Sequence, residues 1–166
     1  MEKRFSWRSL FFWLTLILVL LVAGMIFFFS SQPADQSTQT SGSVMAFLLG
    51  LFGLDADTMA ADQLGLVHTV VRKLAHFTEF GMLGFSLLLH LRVGRRKRGM
   101  AAAWVLGTLY AVSDELHQMF EAGRGPQLRD VAIDSAGVLA GVLVCAGLWA
   151  LFRLFRQKKC RKGLQK

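Results

Sequence analysis

Leu74-Ala-His-Phe-Thr-Glu-Phe-Gly-Met-Leu-Gly-Phe-Ser-Leu-Leu-Leu-His-Leu-Arg-Val-Gly-Arg-Arg-Lys-Arg98 couples an apolar run to a turn with five cations. Residues 74–91 approach the roughly 20 apolar residues that a helix needs to cross a bilayer. The basic turn at 92–98 then assigns that end to the cytoplasm by the positive-inside rule. Three more runs, at about 10–29, 100–118 and 130–152, have a similar length and character. The basic residues follow the same logic. The N-terminal tip, the 92–98 turn and the tail after 152 carry 3, 5 and 7 of the 19 Lys/Arg. The remaining connections and the helix ends beside them carry every Asp and Glu except Glu2. The expected fold is all-α: an integral membrane four-helix bundle with both termini cytoplasmic.

Composition agrees with one membrane domain. The chain has 166 residues, of which 54% are hydrophobic, and a mean hydropathy of +0.45. Four spans use about half of it, leaving too little for a second core. The expected organisation is a basic cytoplasmic N-terminus at 1–9, a membrane domain at 10–152 and a basic cytoplasmic tail at 153–166, read as disordered. The net charge of +8 flanks apolar runs, as orientation signals do, and no nucleic-acid motif accompanies it, so nucleic acid is not an expected partner. The first run is too long for a typical signal-peptide core and ends without a small-x-small cleavage site, so it reads as a retained span. Cys145 in a span and Cys160 in the tail offer no plausible bridge.

Between the first two spans, residues 30–43 are rich in Ser, Thr and Gln and read as an exposed turn or loop. Residues 44–54 are apolar but too short to cross. Asp55, Asp57 and Thr58 offer helix N-caps, and the pattern from Met59 to Val71 can run straight into the second span. This segment is expected to form a helical or loop lid on the outer face.

The ionisable groups concentrate at that outer face. Arg72, His76 and Glu79 recur at helical spacing, with Lys73 beside them. Glu79 lies about 9 Å deeper than Lys73, where a carboxylate should face the bundle rather than lipid. Gly107, Tyr110, Ala111, Asp114, His117 and Gln118 form one stripe, and Glu115 is turned about 100° away toward a different helix. Asp130 and Asp134 stack above Gly137 and Gly141, joining two carboxylates to a small-xxx-small packing edge. Arg124, between Gly123 and Gly125, and Arg129 can reach over this mouth and clamp an anion. Taken singly, each group has an ordinary reading as an interfacial charge or an ion pair. Together they exceed what packing requires, because buried ion pairs are often dispensable for stability.

These strings resemble the VanZ-like family of bacterial membrane proteins. The resemblance rests on Phe29-Ser-Ser-Gln-Pro33, on Arg72-Lys-x-x-His76-Phe-x-Glu79-Phe with Leu83-Gly84, and on Asp114-Glu115-x-His-Gln118-x-Phe120-x-x-Gly123-Arg124. It extends through Asp130-x-x-x-Asp134-x-x-Gly137-x-x-x-Gly141. Ala122 stands where the family often has Pro, and Asp134 where it often has Asn. The resemblance implies a plasma-membrane protein of the bacterial cell envelope, linked through its name-giving members to resistance against the glycopeptide teicoplanin. It implies no particular chemistry.

Two readings of the outer mouth follow. In the first it binds an anionic or lipid-linked envelope molecule, such as a wall precursor or a lipoglycopeptide, with Arg72, Lys73, Gln118, Arg124, Arg129 and Asp134 as binding residues. In the second it is a membrane enzyme acting on a lipid phosphate. His76, Glu79, Asp114 and His117 are then catalytic candidates, and Glu79, Asp114, Glu115 and Asp130 are candidate ligands for a divalent cation such as Mg²⁺. An ion-coupled transporter fits less well, because the cytoplasmic halves of the spans lack acidic groups. The partners expected are the lipid bilayer and a second copy of the chain.

Overall fold

The computed structural model describes residues 6–32, 34–51, 53, 59–94, 99–120 and 127–163. They form five helices: α1 (Trp7–Ser30), α2 (Ala34–Leu51), α3 (Ala61–Val93), α4 (Gly99–Gln118) and α5 (Leu128–Gly163). The all-α expectation holds among the described residues.

Among the described residues, three helices are long and apolar enough to cross a membrane: Trp7–Ser30, Ala61–Val93 and the Leu128–Gln157 part of α5. The 20 residues of α4 match a span in length, but Asp114 and Glu115 near its end reduce its apolar character. Helix α4 nonetheless packs against α1, α3 and α5. At 1.5 Å per residue, α3 and α5 are each about 50 Å long, well beyond a 30 Å hydrocarbon layer. The outer side chains of α1 are apolar and exposed, including Phe11, Leu14, Leu21 and Phe28. That is the surface expected of a helix whose solvent is lipid rather than water.

The closest packing joins α3 to α5. A Cβ on Gly137 or Gly141 would collide with the Phe77 or Gly81 carbonyl oxygen, and one on Gly84 would collide with the backbone of Val138. Without Cβ atoms the two backbones touch directly, which is the close approach expected of a small-xxx-small edge. Val138 also fills the notch left by Gly107 of α4. Around this contact lie Phe80, Leu83, Leu88, Ala103, Ala111 and Val142, all buried. Helix α1 joins through Ile26 and through the Tyr110 hydroxyl, which donates a 2.7 Å hydrogen bond to the Ala23 carbonyl. At the other end of α1, Thr15 Oγ1 lies 3.0 Å from His90 Nδ1. Arg92 sits over the Trp149 ring there, 5.7 Å from its centroid, forming a cation–π contact between α3 and α5.

Two local expectations are corrected, and a third falls outside the described residues. The segment 30–43 is not a loop: α1 continues to Ser30 and α2 begins at Ala34. Ser, Thr and Gln carry only small helix penalties, and burial of Met45 and Leu49, one turn apart, supports α2 against α3. The start of α3 is capped at Ala60 without a side-chain hydrogen bond, while Asp55, Asp57 and Thr58 lie outside the described residues. The tail is helical as far as Gly163, because nothing in its sequence breaks the pattern of α5.

Candidate functional site

The polar groups at one end of the bundle divide into two neighbouring clusters. The first ties α4 to the end of α1. Ser30 is buried and donates a 2.8 Å hydrogen bond to Asp114 Oδ2. Gln118 Nε2 donates to both partners, at 2.6 Å to Ser30 Oγ and 2.9 Å to Asp114 Oδ2. Ser31 Oγ lies 3.1 Å from His117 Nε2, and the Phe27 ring stacks on His117 at 4.7 Å. Of the stripe predicted on α4, Tyr110, Asp114, His117 and Gln118 therefore reach α1, while Gly107 faces Val138 of α5.

The second cluster lies between α3, α4 and α5. Arg72, Lys73 and His76 descend from α3; Glu115 and Gln118 come from α4; Asp130 and Asp134 come from α5. Together with Ile133 they enclose a cavity of about 10 Å³, room for about one water molecule. Lys73 Nζ forms an ion pair with Asp130 Oδ1. The Gln127 backbone N–H donates a 2.6 Å hydrogen bond to Glu115 Oε1, which fastens the start of α5 to α4. Asp134 is only 3% exposed, and its Oδ1 has no hydrogen-bond partner among the described residues. Such an orphaned acceptor is unusual, because burying a polar atom without a partner is costly.

Adjacent in sequence, Asp114 and Glu115 thus serve different clusters, as the 100° step between them dictates. Gln118 belongs to both. Glu79, one turn deeper than His76, does not line the cavity. It lines a groove between α2 and α3 with Val44, Val71, Leu74, Ala75 and Thr78. Arg129 is exposed and does not line the cavity either, and Arg124 lies outside the described residues. The candidate cation ligands Glu79, Asp114, Glu115 and Asp130 are consequently distributed over three places. Among the described residues no three His, Cys, Asp or Glu side chains are grouped to hold a metal ion.

Sequence reasoning left Ser30 and Ser31 out of the site. Their signal was a pair of hydroxyls directly after twenty apolar residues. The partners, 84 and 86 residues away, are visible only after folding.

Residues 12–153 match the VanZ/LLP1 family. The chain belongs to the VanZ/LLP1 family. The match spans α1 through most of α5 and includes both polar clusters. No curated protein and no solved structure matches the chain. Family membership together with its apolar helices identifies a VanZ-family membrane protein.

Proposed function

We propose that this VanZ-family protein is a multi-pass protein of the bacterial plasma membrane with four spans and both termini in the cytoplasm. Its outer polar cavity binds a small polar group on an anionic or lipid-linked envelope molecule, and this binding contributes to teicoplanin resistance. The observation that carries the reading is that Arg72 and the unpartnered Asp134 Oδ1 line one cavity. Arg72 offers planar donors for a carboxylate or phosphate. The orphaned carboxylate oxygen awaits a hydroxyl or ammonium donor. Lys73 is already engaged with Asp130, so its role is to hold α3 and α5 together. A cavity of one-water size admits a terminal group, and a larger headgroup enters only if α4 moves outward.

The test is teicoplanin susceptibility in a sensitive Gram-positive host, at matched membrane levels. Protection is expected from the parent chain and from Arg129→Gln, and is expected to be lost in Arg72→Gln. Protection by Arg72→Gln would remove the cavity from the activity. No protection by the parent would sever this member from teicoplanin resistance.

The alternative is an enzyme acting on a lipid phosphate. It is favoured by His76 sharing the cavity with Glu115 and Asp134, a set capable of acid–base work. Phosphate release from a lipid-linked precursor by the purified protein, abolished in His76→Gln, would select this reading.

A further inference from the structure

Charge is unequal around the polar cavity between α3, α4 and α5. Its described lining brings the cations Arg72 and Lys73 and the carboxylates Glu115, Asp130 and Asp134. Lys73 and Asp130 offset each other as an ion pair. Arg72 can offset one further carboxylate. Histidine aside, the lining is one cation short, and the shortfall has an address. Asp134 is 3% exposed, and its Oδ1 has no hydrogen-bond partner among the described residues. A buried carboxylate oxygen is best stabilised by a donor that also carries positive charge.

Helix α4 adds a second acceptor. Gln118 Nε2 is spent on Ser30 Oγ and Asp114 Oδ2, at 2.6 and 2.9 Å. With the nitrogen turned to that cluster, the amide oxygen is the polar atom left for the cavity that Gln118 also lines. Glu115 is an acceptor too, since it takes the Gln127 N–H. The side chains that α4 and α5 bring to the cavity therefore accept rather than donate.

Size narrows the occupant. The cavity holds about 10 Å³, room for about one water molecule, so one heavy atom enters. A primary ammonium is close to water in size, carries the missing charge and presents several N–H donors at once. A hydroxyl brings a donor without the charge. A trimethylated ammonium brings the charge without a donor and is several times too large. Asp130 lies in the first turn of α5, so the cavity sits where a span meets the headgroup layer.

We infer that the cavity is a primary-ammonium site, in which the ligand's –NH₃⁺ donates to Asp134 Oδ1 and Gln118 Oε1. The inference rests on the binding role proposed for this cavity and gives its small polar group a chemistry. The ammonium can arrive on a phospholipid headgroup or on a soluble amine.

The experiment follows thermal unfolding of the full chain in neutral detergent and amine-free sodium buffer, where a ligand of the folded state raises Tm with its concentration. The probes are dioctanoyl phosphatidylethanolamine, its N-methyl and N,N-dimethyl derivatives, dioctanoyl phosphatidylcholine and O-phosphoethanolamine. Phosphatidylethanolamine is expected to stabilise saturably, each added methyl to weaken the effect, and phosphatidylcholine to give none. Equal stabilisation by O-phosphoethanolamine would assign a soluble source, and stabilisation by the lipid alone a headgroup; either supports the site. Asp134→Asn should weaken apparent affinity about ten- to a hundredfold, the loss of one hydrogen bond to a charged group. Arg129→Gln, outside the cavity, should bind as the parent does. Unchanged affinity in Asp134→Asn, which matches a protonated carboxyl in shape, would mean that a proton and not an ammonium satisfies Asp134, and would overturn the inference. So would equal effects of phosphatidylethanolamine and phosphatidylcholine, equal stabilisation by potassium chloride, or no response to any amine. Should Asp134→Asn fail to fold, the methylation series on the parent decides alone. Loss of teicoplanin protection in Arg72→Gln without any amine response would keep the cavity and reject the ammonium. An amine response dependent on Asp134, with protection intact in Arg72→Gln, would do the reverse.

Discussion

Ser30, the last residue of α1, donates a hydrogen bond to Asp114 of α4 across 84 residues of sequence, and Gln118 donates to both. This three-membered network leaves few alternatives to its members, because Ser30 and Asp114 are almost inaccessible. Ser30→Ala removes a donor from a buried carboxylate and an acceptor from Gln118. The expected cost is about 1–3 kcal/mol. Thermal unfolding in detergent should show it, and Ser113→Ala, on the exposed side of α4, should unfold with the parent.

The α3–α5 contact predicts a sharp division among glycines. Gly141→Ala drives a methyl into the Gly81 carbonyl, and Gly137→Ala does the same at Phe77. Each should lower stability by about 1–3 kcal/mol, the usual cost of overpacking, or prevent assembly of the bundle. Gly147→Ala meets nothing within 4 Å and should be neutral or slightly stabilising, because alanine is the better helix former. A thermal-shift comparison of the three variants checks this.

Lys73 and Asp130 are only partly shielded, so their ion pair should be modest in energy. A double-mutant cycle with Lys73→Met and Asp130→Asn is expected to return a coupling of about 0.2–1 kcal/mol, diminishing with added salt. A coupling several times larger would mean that the pair is far better shielded from water than its exposure indicates.

Topology can be decided with thiols already present or easily added. Cys145 is buried, and the second cysteine of the sequence, Cys160, belongs to the tail. A membrane-impermeant maleimide should label Cys160 only after permeabilisation. Leu128→Cys, at a position 90% exposed at the start of α5, should label in intact cells. The opposite pattern would invert the orientation. Labelling of both Cys160 and Leu128→Cys from outside would show that α5 does not cross.

Much of this architecture was legible in advance because it depends on short-range periodicity. The 100° step from Asp114 to Glu115 correctly sent the two carboxylates to different neighbours. The four-residue spacing of Gly137 and Gly141 correctly marked an edge of close approach. Pairings across long sequence separations were not legible. Lys73 could be paired with Asp130 only once α3 and α5 were in contact, and Ser30 could be assigned to Asp114 only once α1 was placed beside α4. The first half of α2 was read as a loop for a related reason: it has no apolar period, and the helix takes its support from Met45 and Leu49 in the second half. Glu79 was grouped with His76 by spacing, yet one further turn of helix carries it beyond the cavity and into the α2–α3 groove.

The missing side chains at Gly137 and Gly141 have a mechanical consequence. Two backbones in direct contact have no soft layer to compress between them, so α3 and α5 form a fixed door frame, braced at one end by Lys73 and Asp130 and at the other by Arg92 and Trp149. Two sides of the polar cavity belong to that frame. The third side is α4, which the bonds joining Ser30, Asp114 and Gln118 fasten to the end of α1 instead.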